Sequence, residues 1–187
     1  TGILESFPEG GPRLRWSQPL GSGYSGPAVA AGRVFVMDRQ AEKIDLARAK
    51  VLHDGPPPRN VNFLRKLLPG NERIVCLDEK TGKKIWEQRW TCPYTTVAIY
   101  AIGPRATPTV DGQRVYALGA EGDLKCFSVA DGERVWDRDF KKDYRLKIPE
   151  WGTAAHPLVD GDRLICVIGG KGTTCVAFDK RTGKEIW

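Results

Sequence analysis

Three phrases that end in tryptophan decide the fold: DEKTGKKIW (residues 78–86), SVADGERVW (128–136) and DKRTGKEIW (179–187). Their tryptophans, Trp86, Trp136 and Trp187, stand 50 and 51 residues apart. A second shared stretch precedes each phrase: GPAVAAGRVFVMDR (26–39), TPTVDGQRVYALGA (107–120) and HPLVDGDRLICVIGG (156–170). Self-similarity at a fixed period of this length marks a repeat architecture.

Within a unit, short β-rich runs alternate in character and are broken by Gly and Asp turns. The second unit reads TPTV, RVYAL, DLKCFS and RVWDRDF, separated by DGQ, GAEG and VADG, which predicts four antiparallel strands. One four-stranded meander cannot bury both faces, whereas a radial stack of them can. The expected fold is all-β: a partial β-propeller of about three four-stranded antiparallel blades, 25–90 with an insertion at 40–71, 105–140 and 154–187. Trp16 in LRWSQPL has the same setting as the periodic tryptophans and is read as a stray N-terminal outer strand. A ring closes with roughly four to eight blades, so the remaining blades are expected outside this chain. The periodic rings are expected to wedge between neighbouring blades.

These residues resemble the PQQ-like repeat propellers, whose unit ends in G-x-L-x-A-L-D-A-x-T-G-x-x-x-W. The matching positions are Asp78, Thr81, Gly82 and Trp86; then Gly122, Leu124, Gly132 and Trp136; then Asp179, Thr182, Gly183 and Trp187. The second unit departs with Ser128 and Asp131 at the Asp and Thr positions. The resemblance implies one of two functions. One is a non-catalytic scaffold in the bacterial envelope, periplasmic or secreted, similar to the lipoprotein of the outer-membrane barrel-assembly machine, with a protein or glycan partner. The alternative is a quinoprotein dehydrogenase that oxidises an alcohol or sugar with pyrroloquinoline quinone (PQQ) and calcium, for which Arg105 and Trp151 are the candidate cofactor contacts. The vicinal cysteine pair of that second branch does not occur in this chain.

Composition narrows the field further. The net charge of +6 is spread among acids with no basic run, which argues against nucleic acid. No apolar run approaches a membrane span. The five cysteines, Cys76, Cys92, Cys126, Cys166 and Cys175, form no CxxC and no zinc spacing. Cys166 and Cys175 would face each other if their hairpin is symmetric about Gly170 and Lys171, a geometry that permits a bridge. A WD40-type propeller is disfavoured because the tryptophan follows TGKKI and closes no GH-to-WD unit. No nucleophilic triad, HExxH, Walker loop or EF-hand pattern appears, so no catalytic or metal residue is assigned.

Propeller topology sends the long segments, 91–104, 141–153 and the insertion, to one face, and binding is expected there. The candidates on that face are Tyr94, Tyr100, Arg105, Tyr144, Trp151 and His156. Each has a structural alternative. The aromatics can anchor loops, Arg105 can pair with backbone carbonyls, and His156 can be a hydrogen-bonding residue of the channel, while His53 has less support still. The insertion is expected to open with a short helix burying Ile44, Ala47 and Val51, to stop at Pro56–Pro58, and to form a second turn in FLRKLL. Its cations Arg48, Lys50, Arg59, Arg65 and Lys66 permit docking to a partner or an anionic surface; a lid packed on the rim is the favoured reading.

Overall fold

The computed structural model describes residues 6–42, 45, 47–53, 55–97, 102–170 and 172–187. Three antiparallel sheets follow one another along the chain. The first contains β1 (Ala28–Ala30), β2 (Arg33–Ala41), β3 (Gly70–Asp78) and β4 (Lys84–Thr91). The second contains β5 (Thr109–Asp111), β6 (Arg114–Leu118), β7 (Asp123–Ser128) and β8 (Arg134–Asp139), and a short helix α1 (Phe140–Tyr144) follows it. The third contains β9 (Leu158–Asp160), β10 (Arg163–Gly170) and β11 (Thr173–Asp179). Each sheet is a meander in which sequence neighbours pair, as expected of propeller blades.

Two strands differ from expectation. The third sheet has three strands, and its fourth is present as a bridge from Phe178 to Glu185 with Ile186 N donating to Ala177 O. The segment around Trp16 forms no ladder, because no described strand lies alongside it. The helix α1 was not foreseen. The Asp139 side chain caps it by accepting from Lys141 N and Lys142 N, and Arg145 ends it in the left-handed region at φ 52°.

The period-2 alternation of each strand divides its side chains between the blades on either side. Phe35, Met37, Ile74 and Cys76 of the first blade meet Val115, Ala117 and Phe127 of the second. The alternate residues of the second blade, Tyr116, Leu118, Leu124 and Cys126, turn the other way to meet Leu164, Cys166, Ile168, Val176 and Phe178. The core is therefore a set of interblade layers.

One contact sets the spacing of those layers. The Trp86 ring lies against Gly132 of the next blade, and its Nε1 donates to Val129 O at 3.0 Å. Trp136 does the same to Gly183, donating to Lys180 O at 3.2 Å. Trp16 repeats it on Gly82, donating to Glu79 O at 2.8 Å, so the contact survives where the ladder does not. The DxxTG phrase builds the receiving turn. Asp78 Oδ1 accepts from Lys80 N, Thr81 N and Thr81 Oγ1, and Asp179 Oδ1 repeats the set on Arg181 and Thr182. The glycine then takes a positive φ, 69°, 78° and 68° in the three blades.

The cysteine geometry is a correction. A bulge between Val167 and Gly170 shifts the hairpin, so Cys166 pairs with Val176 while Cys175 pairs with Val167. The two thiols therefore lie on opposite faces of the sheet, Cys166 buried and Cys175 exposed, and all five cysteines are free.

A Cβ on Gly132 would sit 2.6 Å from the Trp86 ring, whereas one on Gly112, also at positive φ, meets nothing within 4 Å. Gly132→Ala should cost about 3 kcal/mol and Gly112→Ala about 1 kcal/mol, because only the first adds a clash to backbone strain. Urea unfolding midpoints of the two variants check the difference.

Candidate functional site

The tight turns and the long segments occupy opposite faces. The β1–β2 turn at Ala31 and Gly32, with its counterparts at Gly112 and Gly161, and the turns preceding β4 and β8 form one side. The insertion between β2 and β3 and the two interblade links form the other.

There the three long segments knit into one layer. Arg65 bridges Val97 and Leu68 bridges Tyr94, joining insertion to first link. The Arg65 guanidinium donates to Thr95 O at 2.7 Å and to Ile148 O at 3.1 Å, and Val97 N donates to Glu150 O, which brings in the second link. The expected insertion helix is corrected. Ile44 lies outside the described residues, Arg48 N and Ala49 N both donate to Asp45 O, and Val51 bridges Lys66. FLRKLL is likewise extended past a 3-10 turn at Val61–Phe63. Leu52 N donates to Arg65 O and Leu67 N to Lys50 O, so neighbouring segments satisfy the backbone that a helix too short to nucleate would leave open. His53 anchors this turn, its Nε2 accepting from Arg65 N at 2.9 Å.

A buried polar floor fastens the layer to the first two blades. Arg39 donates to Cys92 O and Leu68 O at 2.7 Å each and to Pro69 O at 2.9 Å, with its guanidinium 3.7 Å from the Tyr94 ring centroid. Tyr94 OH donates to Glu72 at 2.5 Å, and Ala120 N donates to the same oxygen at 2.9 Å. Tyr94 is thus a buried anchor and no part of a recognition surface. Burial also pushes the Cys92 thiol far above its usual range, leaving it a neutral packing group. Glu121 accepts from Thr95 N at 2.6 Å and from Lys141 Nζ at 3.3 Å, tying the first link to α1.

On the exposed surface, Arg105 and Trp151 come together. Arg105 Nε donates to Trp151 O at 2.7 Å, and its guanidinium lies 5.8 Å from the Trp151 ring and 5.3 Å from the Tyr24 ring. Phe63 of the insertion meets Trp151 edge-on at 6.1 Å. Tyr24 is 64% and Trp151 39% exposed. Tyr24 was missed in the sequence, yet the repeat contains the signal: Tyr24 and Arg105 each stand three residues before the proline of an innermost strand, Pro27 and Pro108. His156 lies exposed just before the adjoining inner strand β9, where Nδ1 accepts from Thr107 N at 2.7 Å. Tyr144 is elsewhere, packed on Phe140 and Phe178 with its OH donating to Glu185 at 2.6 Å. Tyr100 lies outside the described residues.

The cluster offers a guanidinium framed by two rings, a surface suited to carboxylates and to amphipathic contact. Among the described residues no three His, Cys, Asp or Glu side chains gather into a metal-holding group. No described helix is long and apolar enough to cross a membrane.

A family model described as outer membrane protein assembly factor BamB matches residues 70–187. The assembly factor BamB of Kangiella koreensis is 28% identical over 118 residues, 63% of this chain and 27% of that protein. Its counterpart from Burkholderia pseudomallei is 27% identical over 116 residues, 61% of this chain and 27% of that protein. The match thus spans about a quarter of each curated relative. A europium-containing methanol dehydrogenase superposes with a TM-score of 0.54 at 17% identity, over 94% of this chain and 26% of that one, a likeness of fold.

The floor beneath the cluster has a pH signature. Burial is the largest influence on Glu72 and raises its carboxyl above the ordinary 4.5, outweighing the hydrogen bonds from Tyr94 and Ala120. The fold then keeps a proton that the unfolded chain releases, so stability falls as pH rises from about 4.5 through the folded value. Glu72→Gln preserves the accepting oxygen and removes the titration. The variant should gain stability relative to the parent as pH rises above about 4.5, measured by urea unfolding.

Proposed function

The chain belongs to the PQQ-repeat propeller family of outer membrane protein assembly factor BamB, and we propose that it is a non-catalytic binding scaffold of the bacterial cell envelope. Its long-loop face receives a protein partner in the periplasmic space. The observation that carries this reading is the meeting on that face of Tyr24, Arg105 and Trp151, from three different segments, two exposed rings about a half-buried guanidinium. Tyr, Trp and Arg are the residue types that dominate protein interfaces, where a flat ring or a guanidinium gives much contact at small entropic cost. The layer beneath is pinned by Arg39, Arg65 and Glu121, so the surface is held in shape before a partner arrives. The relatives' name, outer membrane protein assembly factor, points to partners in outer-membrane protein assembly.

The quinoprotein alternative finds little in these residues. PQQ with a calcium ion needs convergent acidic ligands, and the described residues do not supply such a group. Its candidate contacts, Arg105 and Trp151, are engaged with each other, and Trp151 also with Phe63.

A photo-crosslinking residue placed at Tyr24 of the intact protein in cells should give a discrete protein adduct that Arg105→Glu abolishes. The same residue at Gln113, exposed on the tight-turn face, should give none. Equal adducts from both faces, or saturable turnover of an alcohol that depends on PQQ and calcium, would overturn the proposal.

A further inference from the structure

Between the outer strands of the first and second blades lies a cleft of about 230 Å³, lined by Gln88, Arg89, Trp90, Lys125, Phe127 and Arg134. Three of the six are cations and none is an acid. The strand period explains the gathering: Trp86, Gln88 and Trp90 share the face of β4 whose Trp86 docks on the second blade, while Lys125 and Phe127 share the face of β7 that looks back. Trp90 stacks on Phe127 at 6.1 Å and 30°.

The repeat supplies an internal control. Fifty residues on from β4, and fifty-one on from β7 and β8, the equivalents at the next interface are Arg138, Asp139, Phe140, Val176, Phe178 and Glu185. There Phe140 stacks on Phe178 at 6.2 Å and 7°, Tyr144 covers both rings, and Val176 is buried in the same core. An interface of this kind thus closes with apolar side chains. The first interface instead puts a lysine where the second has Val176, an arginine where it has Glu185, and an indole with an N–H where it has Phe140.

Those exchanges leave polar atoms that lack a matched partner. Trp90 Nε1 is buried and donates to nothing among the described residues. The Lys125 side chain is 9% exposed, its nearest carboxylate oxygen is on Asp123 at 3.9 Å, and its ammonium is 5.3 Å from the Trp90 ring. Arg134 reaches Asp137 at the long distance of 3.7 Å. Arg89, Lys84 and Arg73 share the two carboxylates Glu87 and Asp38, which leaves one positive charge over. A buried donor without an acceptor and a buried ammonium at long range from its counter-ion are both costly arrangements. One added group relieves both: a compact anion with acceptor-only oxygens.

We propose that this interblade cleft binds a small oxyanion, a carboxylate or a phosphate, with Lys125 and Arg134 supplying charge and the Trp90 indole donating a hydrogen bond. The inference rests on the fold and is independent of the partner-binding face, since none of its residues belongs to the Tyr24–Arg105–Trp151 cluster. The site gives the propeller wall a second recognition point, for a free anion or for an acidic group carried on a larger molecule.

The test follows the indole resonance of Trp90, assigned through Trp90→Phe, in ¹⁵N-labelled intact protein at constant ionic strength. Acetate and inorganic phosphate are titrated separately, with chloride as reference. A saturable downfield shift of that resonance with either oxyanion supports the site, and the tighter of the two identifies the ligand class. Arg134→Gln, on the exposed edge strand, should weaken binding by about tenfold, the loss of one charge-assisted hydrogen bond. Lys125→Met should abolish binding, and an unchanged amide spectrum would show that the variant is folded. A shift that chloride reproduces, or one indifferent to Arg134→Gln, would overturn the proposal.

Discussion

The structure depends on a tryptophan ring lying flat on a glycine of the next blade. The ring is large enough to fill the gap between two sheets that diverge, and the glycine lets it approach to a distance at which any Cβ would collide. The indole N–H then finds a backbone carbonyl one turn position away, so the contact is directional as well as apolar. Arg33 donates to the same Val129 carbonyl at 2.7 Å, and Tyr116 OH donates to the equivalent Lys180 carbonyl at 3.0 Å. The receiving turns of the second and third blades are each held from two strands of the preceding blade.

From that contact the rest of the arrangement follows. Blades stacked at fixed spacing put every short turn on one side and every long connection on the other. The long connections bury only a small apolar cluster, Leu68, Cys92 and Tyr94 against Ala120, so polar side chains also fix them. Arg39, Glu72 and Glu121 do this from the blades, and Arg65 does it from within the layer. A rigid base beneath exposed aromatic side chains is what a preformed binding surface requires.

The repeat phrase made the all-β sheets and the interblade wedges legible, because a fifty-residue period and a period-2 alternation are both written in the order of residues. What stayed illegible depended on contacts between segments distant in sequence. Ala47 and Val51 carry helical spacing, yet the backbone of the insertion pairs with its own return path and with Val97 and Tyr94 of the first link. Tyr94 looked like a surface aromatic until Glu72, on β3, supplied a buried partner for its hydroxyl. A bulge of no evident sequence signature placed Cys166 and Cys175 on opposite faces. Arg105 and Trp151 were read as separate candidates; the structure joins them and adds Tyr24, whose place in the repeat was visible but whose neighbour was not.

The most direct measurement of the wedge is hydrogen exchange at the indole nitrogens. If the tryptophan contacts hold the blades, the Nε1 protons of Trp86 and Trp136 exchange only when the domain unfolds, with the same free energy as its slowest backbone amides. Exchange of either proton at a rate near that of free indole, while the strands of both adjoining blades remain protected, would show that the blades are held by something else.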